Sequence, residues 1–315
     1  MNDSTLQKIG VEERHIADTS EAASDLAVRA AENLFSAYGI DRGDVDYLLV
    51  CTQNPDYLAP STACIVQERL GLSQSIGALG YDLGCSGYVY GLSLAKGLIE
   101  GGLAKNVLLL TASLYTRYID KEDRGLRPMF GDAGTATLIE SVPGEQPYLD
   151  AFVFGTDGSG ADKLILPAGG SRYPAQRTEE VFEEYALGRR SNYEMHMDGM
   201  AITLFSMRTV PDLVENVLTK GSITRDQLDY VIFHQASKYM LEHLQSHCEL
   251  EGVSFYNDIR KVGNTSSCTI PIALDDLIAK KDFSKKRHVL LAGFGIGLSW
   301  AGCLADFSAL KKRVL

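Results

Sequence analysis

Two stretches of this chain read alike, 183 positions apart. Ile40-Asp-Arg-Gly-Asp-Val-Asp-Tyr47-Leu-Leu-Val-Cys51 is answered by Ile223-Thr-Arg-Asp-Gln-Leu-Asp-Tyr230-Val-Ile-Phe-His234. Ile, Arg, Asp and Tyr recur in register, and each copy ends in the short apolar run of a buried strand. A second pair, Val107-Leu-Leu-Leu110 and Val289-Leu-Leu-Ala292, stands 182 apart. Two pairs at nearly one offset predict two related halves, each alternating strands with helices. At 315 residues the chain is long enough for two core-forming units of about 150 each.

The helical pattern fits that plan. Residues 22–38 carry Leu26, Ala27, Ala30, Leu34 and Phe35 on one face of a 3.6-residue period. Residues 200–217 form a similar candidate in the second half, with a kink expected at Pro211. Residues 60–70 and 238–248 are further helix candidates, with Ser61 and Ser237 placed to cap them. The halves differ at their starts. A strand-like run, 148–155, precedes the long helix of the second half, whereas residues 1–19 offer only Ile9 and Val11 around a glycine. Either the first half lacks its first strand, which is the expectation, or the sequence starts late. Residues 156–195 are rich in Gly, Pro and charge and read as a surface excursion, either a plain loop or a lid or tunnel wall.

The net charge of −11 argues against nucleic acid as a partner, since binding phosphates needs a basic excess. No apolar stretch approaches the ~20 residues that span a bilayer, and residues 1–20 have no apolar signal segment. A cytoplasmic location is expected. The six cysteines, 51, 64, 85, 248, 268 and 303, show no metal-ligand spacing. No metal site is expected, and free thiols rather than disulfides. All but Cys85 are expected to be buried structural thiols.

Cys85 stands apart because of its setting, Tyr81-Asp-Leu-Gly-Cys-Ser-Gly-Tyr88, directly before an amphipathic run over 88–99. Glycines on both sides describe a sharp turn from a buried segment into a helix, with the thiol at the helix start. Free N–H groups and the positive end of the helix dipole there would favour a thiolate, the form that attacks an acyl carbon. A small buried cysteine among glycines is the other reading of the same residues. The repeated strand of the second half ends at His234, at the sheet edge where α/β folds place ligands, unless that histidine is structural. Asn264 in Val262-Gly-Asn-Thr-Ser-Ser267 is a candidate side-chain donor or a simple turn residue. Leu291-Ala-Gly-Phe-Gly-Ile-Gly-Leu-Ser-Trp300 follows a strand and has glycines that admit a close ligand. Its backbone N–H groups are candidates for an oxyanion hole.

Taken together, the Gly-Cys-Ser-Gly turn, His234-Gln-Ala-Ser237, Gly263-Asn-Thr-Ser266, Phe130-Gly-Asp-Ala-Gly134 and Gly293-Phe-Gly-Ile-Gly297 resemble β-ketoacyl-acyl-carrier-protein synthase III. The resemblance runs from about Ile9 to the end and implies the thiolase-like α/β fold, five layers αβαβα from two duplicated halves. Residues 1–145 would form the half carrying the nucleophile and 146–315 the half carrying the histidine and asparagine. It further implies Cys85 as the acylated nucleophile and His234 and Asn264 as the decarboxylation residues. The N–H groups of Cys85 and Ile296 would be the oxyanion hole, and Phe294 the shielding aromatic. Arg124, Lys8, Gly199, Ala236 and Lys238 would line the substrate path. The implied reaction joins an acyl primer to a malonyl thioester with loss of carbon dioxide, in fatty acid biosynthesis. It needs no cofactor beyond coenzyme A or carrier-protein thioesters as substrates. Acyl carrier protein is the implied partner, acyl-coenzyme A the alternative donor, and a homodimer the implied assembly.

Departures from the family pattern qualify the donor. Ser4 stands where the family often stacks an aromatic on adenine, Lys8 where it often has arginine, and Met200 where it has a tunnel asparagine. A primer delivered by a carrier protein is the expectation from these changes. Ala59 stands near the position of a bulky residue inserted into the partner's acyl pocket, so a longer or branched acyl group is expected. Lys238, Arg208 and the pair Arg260-Lys261 are candidate contacts for an acidic carrier. The apolar strand at 107–111 is expected to pair across the dimer interface. The missing first strand, taken as central in the family sheet, would leave a groove or a rearrangement. Three rivals stand beside condensation. A non-decarboxylating acyltransferase of the same fold would favour an acid at position 264, and an inactive partner subunit would not need an intact Cys85, His234 and Asn264. A hydroxymethylglutaryl-coenzyme-A-synthase-like enzyme would need a glutamate in the turn around Cys85, which is absent.

Overall fold

A computed structural model describes residues 3–310 except 176, 178, 186–187 and 284, with backbone alone at 3–5, 183–185, 188 and 189. In the first half α1 (Asp3–Ile9), α2 (Ala23–Tyr38), β1 (Tyr47–Cys51), α3 (Thr62–Arg69), β2 (Gly77–Tyr81), α4 (Gly87–Glu100), β3 (Asn106–Ser113) and β4 (Ala133–Glu140) follow in order. After β5 (Leu149–Thr156) comes the excursion, with β6 (Leu164–Ile165), β7 (Phe182–Tyr185), β8 (Gly188–Ser191) and β9 (His196–Met197). Then follow α5 (Gly199–Gly221), β10 (Tyr230–Phe233), α6 (Lys238–His247), β11 (Phe255–Tyr256), α7 (Ile259–Val262), α8 (Thr269–Lys280), β12 (Val289–Gly295) and β13 (Ser299–Ala305). The proposed caps work as expected: Ser61 accepts from Ala63 N–H at 3.3 Å and Ser237 from Met240 N–H at 3.2 Å. Helix α5 continues through Pro211.

Two sheets form, ordered β2-β1-β3-β4 and β11-β10-β12-β13-β5. The sequence repeat reappears at the level of single residue pairs. Strand β1 runs parallel to β3 with Tyr47 opposite Val107, and β10 runs parallel to β12 with Tyr230 opposite Val289. Alternation along these strands builds the layers, because successive side chains point to opposite faces. Leu48 and Val50 of β1 pack under Ala27, Ala31 and Phe35 of α2 and Val66 of α3, while Leu49 faces inward with Val89 and Leu92 of α4. In β12, Val289 and Leu291 face inward with Ile270 and Leu274 of α8, and Leu290 and Ala292 face outward to Leu213 of α5 and Leu241 of α6. The result is helix, sheet, helix, sheet, helix, with α4 and α8 as the shared middle layer.

Three expectations change. Strand β3 lies between β1 and β4, so both its edges are occupied and it cannot pair across an interface; the open edge on that side of the sheet is β2. The strand without a counterpart in the first half is β5, which forms the edge of its sheet beside β13. The corresponding place is therefore the outer edge of β4, not the middle of a sheet. Among the described residues no strand covers it, and residues 3–9 are helical. A groove of ≈ 1140 Å³ runs along β4 between α2, α4 and α8, lined by Tyr88, Leu92, Leu138 and Leu274 among others. Finally, Cys64 is exposed, whereas Cys51, Cys248, Cys268 and Cys303 are buried and all are free.

The excursion is anchored. Arg190 of β8 makes a 2.6 Å salt bridge to Asp123 with both side chains buried. Asp123 Oδ1 also accepts from the N–H groups of Gly125 and Leu126 at 2.7 and 2.9 Å, which shapes the loop that carries Arg124. Among the described residues no helix is long and apolar enough to cross a membrane.

Candidate active site

Strand β2 ends at Tyr81, Ser86 is the N-cap of α4, and Cys85 stands in the turn between them, 6 % exposed. Glycines make room for it. A Cβ at Gly295 would lie 2.7 Å from Cys85 Sγ, and one at Gly84 would lie 2.7 Å from Gln53 Oε1; both are closer than carbon approaches these atoms. The position at a helix start is as expected, but the consequence for the thiol is the reverse of the expectation. Burial pushes the Cys85 thiol up from its ordinary range, and the opposing N–H groups of Ile296 and Cys85 and the Ser266 hydroxyl only moderate it.

Ser266 is the hub of the site. Its hydroxyl lies 4.0 Å from Cys85 Sγ. Its N–H donates to Asn264 Oδ1 at 2.9 Å, which turns the Nδ2 amino group of Asn264 away as a free-standing donor. Its carbonyl accepts from the backbone N–H of Thr269 and lies 3.0 Å from the Thr269 hydroxyl. Thr269 Oγ1 in turn lies 2.8 Å from His234 Nδ1. One residue thus connects the three that the sequence singled out. Ser266 holds a φ of 53°, a left-handed backbone that non-glycine residues seldom adopt and that is found at ligand sites. Asn264 itself is pinned by its backbone, with N–H to Met129 O at 2.8 Å and carbonyl from Gly131 N–H at 3.1 Å.

His234 follows β10 and is 2 % exposed. Burial pushes its imidazole down to about 3, so the ring is neutral. Phe294 meets it edge-on, with ring centroids 6.0 Å apart and planes at 87°, and Phe294 is itself fully buried at the end of β12. The Gly-Phe-Gly segment is the last part of that strand and its turn leads to β13, not to a helix. Tyr115 completes the wall: its hydroxyl donates to Gln53 Oε1. Ser266, Thr269, Tyr115 and Gln53 were not assigned roles from the sequence. Ser266 sat inside the Gly-Asn-Thr-Ser motif, but nothing in its residue type announces the left-handed backbone that makes it a hub.

The duplication explains the asymmetry of the site. The residues 183 positions after Cys51 and Cys85 are His234 and Cys268, so a second cysteine stands at the start of a helix, here as the N-cap of α8. That second thiol is sealed. Cys268 Sγ accepts from Thr111 Oγ1 at 3.1 Å and donates to Ala133 O at 3.3 Å, and burial pushes it up to about 12. Among the described residues the Cys85 copy is the one linked, through Ser266 and Thr269, to a histidine at a strand end.

The substrate-path residues are more dispersed. Lys8 lies over the Tyr239 ring at 5.8 Å, Gly10 is in close contact with Lys238, and Ala236 is partly buried after His234. Arg124 is exposed on the loop shaped by Asp123, and Gly199 begins α5 beside Met200, which is 76 % exposed. Among the described residues no hydrogen bond or ion pair ties Arg124, Lys8, Gly199 or Lys238 to Cys85, His234 or Asn264. The side chain of Ser4 lies outside the described residues. Lys238 and Arg260 pair with Glu242 at 3.8 Å and Glu12 at 3.3 Å. Positive charge without such pairing among the described residues gathers instead at Arg14, Arg117, Lys121 and Arg127, around a pocket of ≈ 440 Å³. No group of three or more potential metal-ligating side chains occurs among the described residues.

Comparison with known proteins gives one answer. Residues 81–158 match the family model described as 3-oxoacyl-[acyl-carrier-protein] synthase III, and 218–307 match that of its C-terminal part. A β-ketoacyl-[acyl-carrier-protein] synthase III of Caldanaerobacter subterraneus subsp. tengcongensis is 34 % identical over 303 residues, 96 % of this chain and 88 % of the relative. The enzyme of that description from Chlamydia caviae is 33 % identical over 296 residues, 94 % of this chain and 85 % of its own. Among solved structures, a 3-oxoacyl-(acyl-carrier-protein) synthase III superposes with a TM-score of 0.93 at 41 % identity, covering 97 % of this chain and 91 % of that one. A Burkholderia xenovorans 3-oxoacyl-(acyl-carrier protein) synthase superposes at 0.87 with 35 % identity, covering 96 % and 85 %.

Proposed function

Because this chain belongs to the 3-oxoacyl-[acyl-carrier-protein] synthase III family, we propose that its condensing acyltransferase activity runs through Cys85, His234 and Asn264 as one site. It is a thiolase-fold ketosynthase of fatty acid biosynthesis type, acting on acyl-carrier-protein substrates. The observation that supports the residue assignment is the Ser266 hub, whose hydroxyl, N–H and carbonyl reach toward each of the three. Cys85 Sγ attacks the carbonyl carbon of an acyl thioester, and its proton passes to the sulfur of the departing donor. The oxygen of the tetrahedral intermediate takes N–H bonds from Cys85 and Ile296, and the donor thiol leaves. A malonyl thioester then enters. His234 and Asn264 Nδ2 donate to its thioester carbonyl, whose oxygen gains enolate charge as the carbon–carbon bond to carbon dioxide breaks. The enolate carbon attacks the acyl carbon on Cys85, expels the thiolate and gives a β-ketoacyl product.

The test is sequential. A panel of acyl thioesters should add a matching mass to the Cys85 peptide, with chains longer than acetyl loaded at least as fast if the small Ala59 widens the pocket. Malonyl carrier protein should then release carbon dioxide. Loading without carbon dioxide would move the chain to non-decarboxylating acyl transfer, and no loading at all would make it an inactive carrier-binding subunit. Coenzyme A thioesters in the same panel identify the donor.

We read residues 1–145 and 146–315 as the two halves, since the strands of one sheet end at Glu140 and those of the other begin at Leu149. We also propose a cytoplasmic homodimer. Strand β2 presents an open edge with Leu79 42 % exposed, and the segment before α3 exposes Tyr57 and Leu58 at 63 % and 84 %, apolar surface of the kind that a second copy covers. Light scattering on the soluble fraction should give twice the 34.4 kDa chain mass, and a monomer at micromolar concentration would discard this assembly.

A further inference from the structure

We propose that Thr269 is the positioning residue that sets the tautomer of His234, donating its hydroxyl proton to Nδ1 so that Nε2 keeps the ring proton for the reaction. This rests on the reading of His234 as a hydrogen-bond donor. A neutral imidazole carries one proton, and whichever nitrogen lacks it can only accept. Nδ1 faces Thr269 Oγ1 at 2.8 Å. The hydroxyl also has one proton and two acceptors in reach, Nδ1 and, at 3.0 Å, the carbonyl of Ser266. These are exclusive choices. If the hydroxyl turns to Ser266 O, Nδ1 must carry the proton to bond Oγ1, and Nε2 is left as a bare acceptor. If it turns to Nδ1, Nε2 carries the proton and can donate.

The proposed reaction requires the second arrangement, and the surroundings permit it. The Ser266 carbonyl already receives the backbone N–H of Thr269 at the end of the short 3₁₀ turn, so it is satisfied without the hydroxyl. The Ser266 carbonyl also faces the ring as an acceptor, so Oγ1 is the described contact of Nδ1 that can supply a proton. Nδ1 is paired to Oγ1 in both arrangements, but only the second leaves Nε2 the proton that the proposed reaction uses. Charging the ring is no way out, because His234 is 2 % exposed and its burial holds it neutral. Thr269 is thus the only hydroxyl in the described contacts of Nδ1, and it decides which nitrogen is the donor.

The consequence is specific. Thr269→Val keeps the shape of the side chain and removes the proton. The remaining polar neighbour of the ring is then the Ser266 carbonyl, an acceptor, which draws the proton to Nδ1 and strips Nε2 of its donor function. Thr269→Ser restores the hydroxyl. With ¹⁵N-labelled histidine, the wild type and Thr269→Ser should show Nδ1 as the unprotonated nitrogen of His234, and Thr269→Val should show Nε2. Acyl loading of Cys85 should stay within about twofold in both variants, which also reports that they fold. Carbon dioxide release should fall about 10²-fold in Thr269→Val, the scale of one lost oxyanion donor, and return in Thr269→Ser. Unchanged nitrogen shifts in Thr269→Val, or equal loss of carbon dioxide release in both variants, would overturn the proposal. His234→Ala measured alongside keeps the two readings apart. If it leaves carbon dioxide release intact, the donor reading of His234 has failed, while the nitrogen shifts still decide whether Thr269 sets the tautomer.

Discussion

Cys85→Ala is expected to abolish acyl loading and condensation together, by about 10⁴-fold or more, as removal of a covalent nucleophile does elsewhere. No neighbour can substitute. Ser266 Oγ lies 4.0 Å from the sulfur, but an alcohol attacks an acyl carbon only with a base to take its proton, and the described hydrogen bonds of Ser266 supply none. The pH dependence of the wild type carries a second expectation with a definite sign. The Cys85 thiol is raised above its ordinary range because desolvation outweighs the helix start and the nearby N–H groups. A raised thiol pKa means less thiolate at neutral pH and a thiolate fraction that climbs about tenfold per pH unit until that pKa is reached. Alkylation of Cys85 by iodoacetamide should therefore rise steadily through pH 9. A plateau already below pH 7 would mean that the helix dipole wins after all. His234 adds no limb to this profile near neutrality, since its depressed pKa of about 3 keeps it uncharged there.

How far the sequence anticipated this arrangement depends on which residues are asked about. The repeat was legible because both copies of the strand must bury the same face, so Tyr47 and Tyr230 open equivalent strands with equivalent partners, Val107 and Val289. His234 and Asn264 were legible because a strand end and a Gly-Asn segment are local features. What one strand's pattern cannot reveal is its neighbours. The apolar run at 107–111 suits an interface strand and an interior strand equally, and only the sheet order shows β3 to be interior. The same holds for the unmatched strand, whose counterpart β5 is at an edge because β13 intervenes between it and β12. The direction of the Cys85 shift was misjudged for a related reason. A helix start is visible in sequence, whereas the depth of burial depends on Phe294, Ile296 and Tyr115 arriving from distant segments. Ser266 and Thr269 were silent for the same cause: a hydroxyl among hydroxyls acquires a role only from what folds against it.

The second large effect belongs to the donors. His234→Ala and Asn264→Ala should each slow carbon dioxide release from malonyl carrier protein by about 10²–10³-fold, the range for one preorganised oxyanion donor. Acyl loading, which calls on the N–H groups of Cys85 and Ile296, should change far less. The double variant should lose less than the product of the two, because in the proposed reaction both side chains serve one oxygen and the second loss removes a donor from a site already failing. Asn264→Asp is the sharper test. Its carboxylate can still accept from the Ser266 N–H that holds Asn264 Oδ1 at 2.9 Å, so the fold of the segment survives. The donor Nδ2 is replaced by an anionic oxygen facing the developing enolate. Like charges in a water-poor pocket repel strongly, so Asp should be slower than Ala, not faster. The pH response should change as well. In the wild type, carbon dioxide release from enzyme already loaded should be level from about pH 5 to 8, because neutral His234 and Asn264 carry no titration there. In Asn264→Asp, release should recover as pH falls and the new carboxyl gains a proton, since the protonated acid is again a donor. Single-turnover carbon dioxide release across that range distinguishes the cases. Asn264→Asp with wild-type release at neutral pH would mean that position 264 acts as a base and not as a donor, and the reaction would then belong with acyl transfer to an acceptor that must lose a proton.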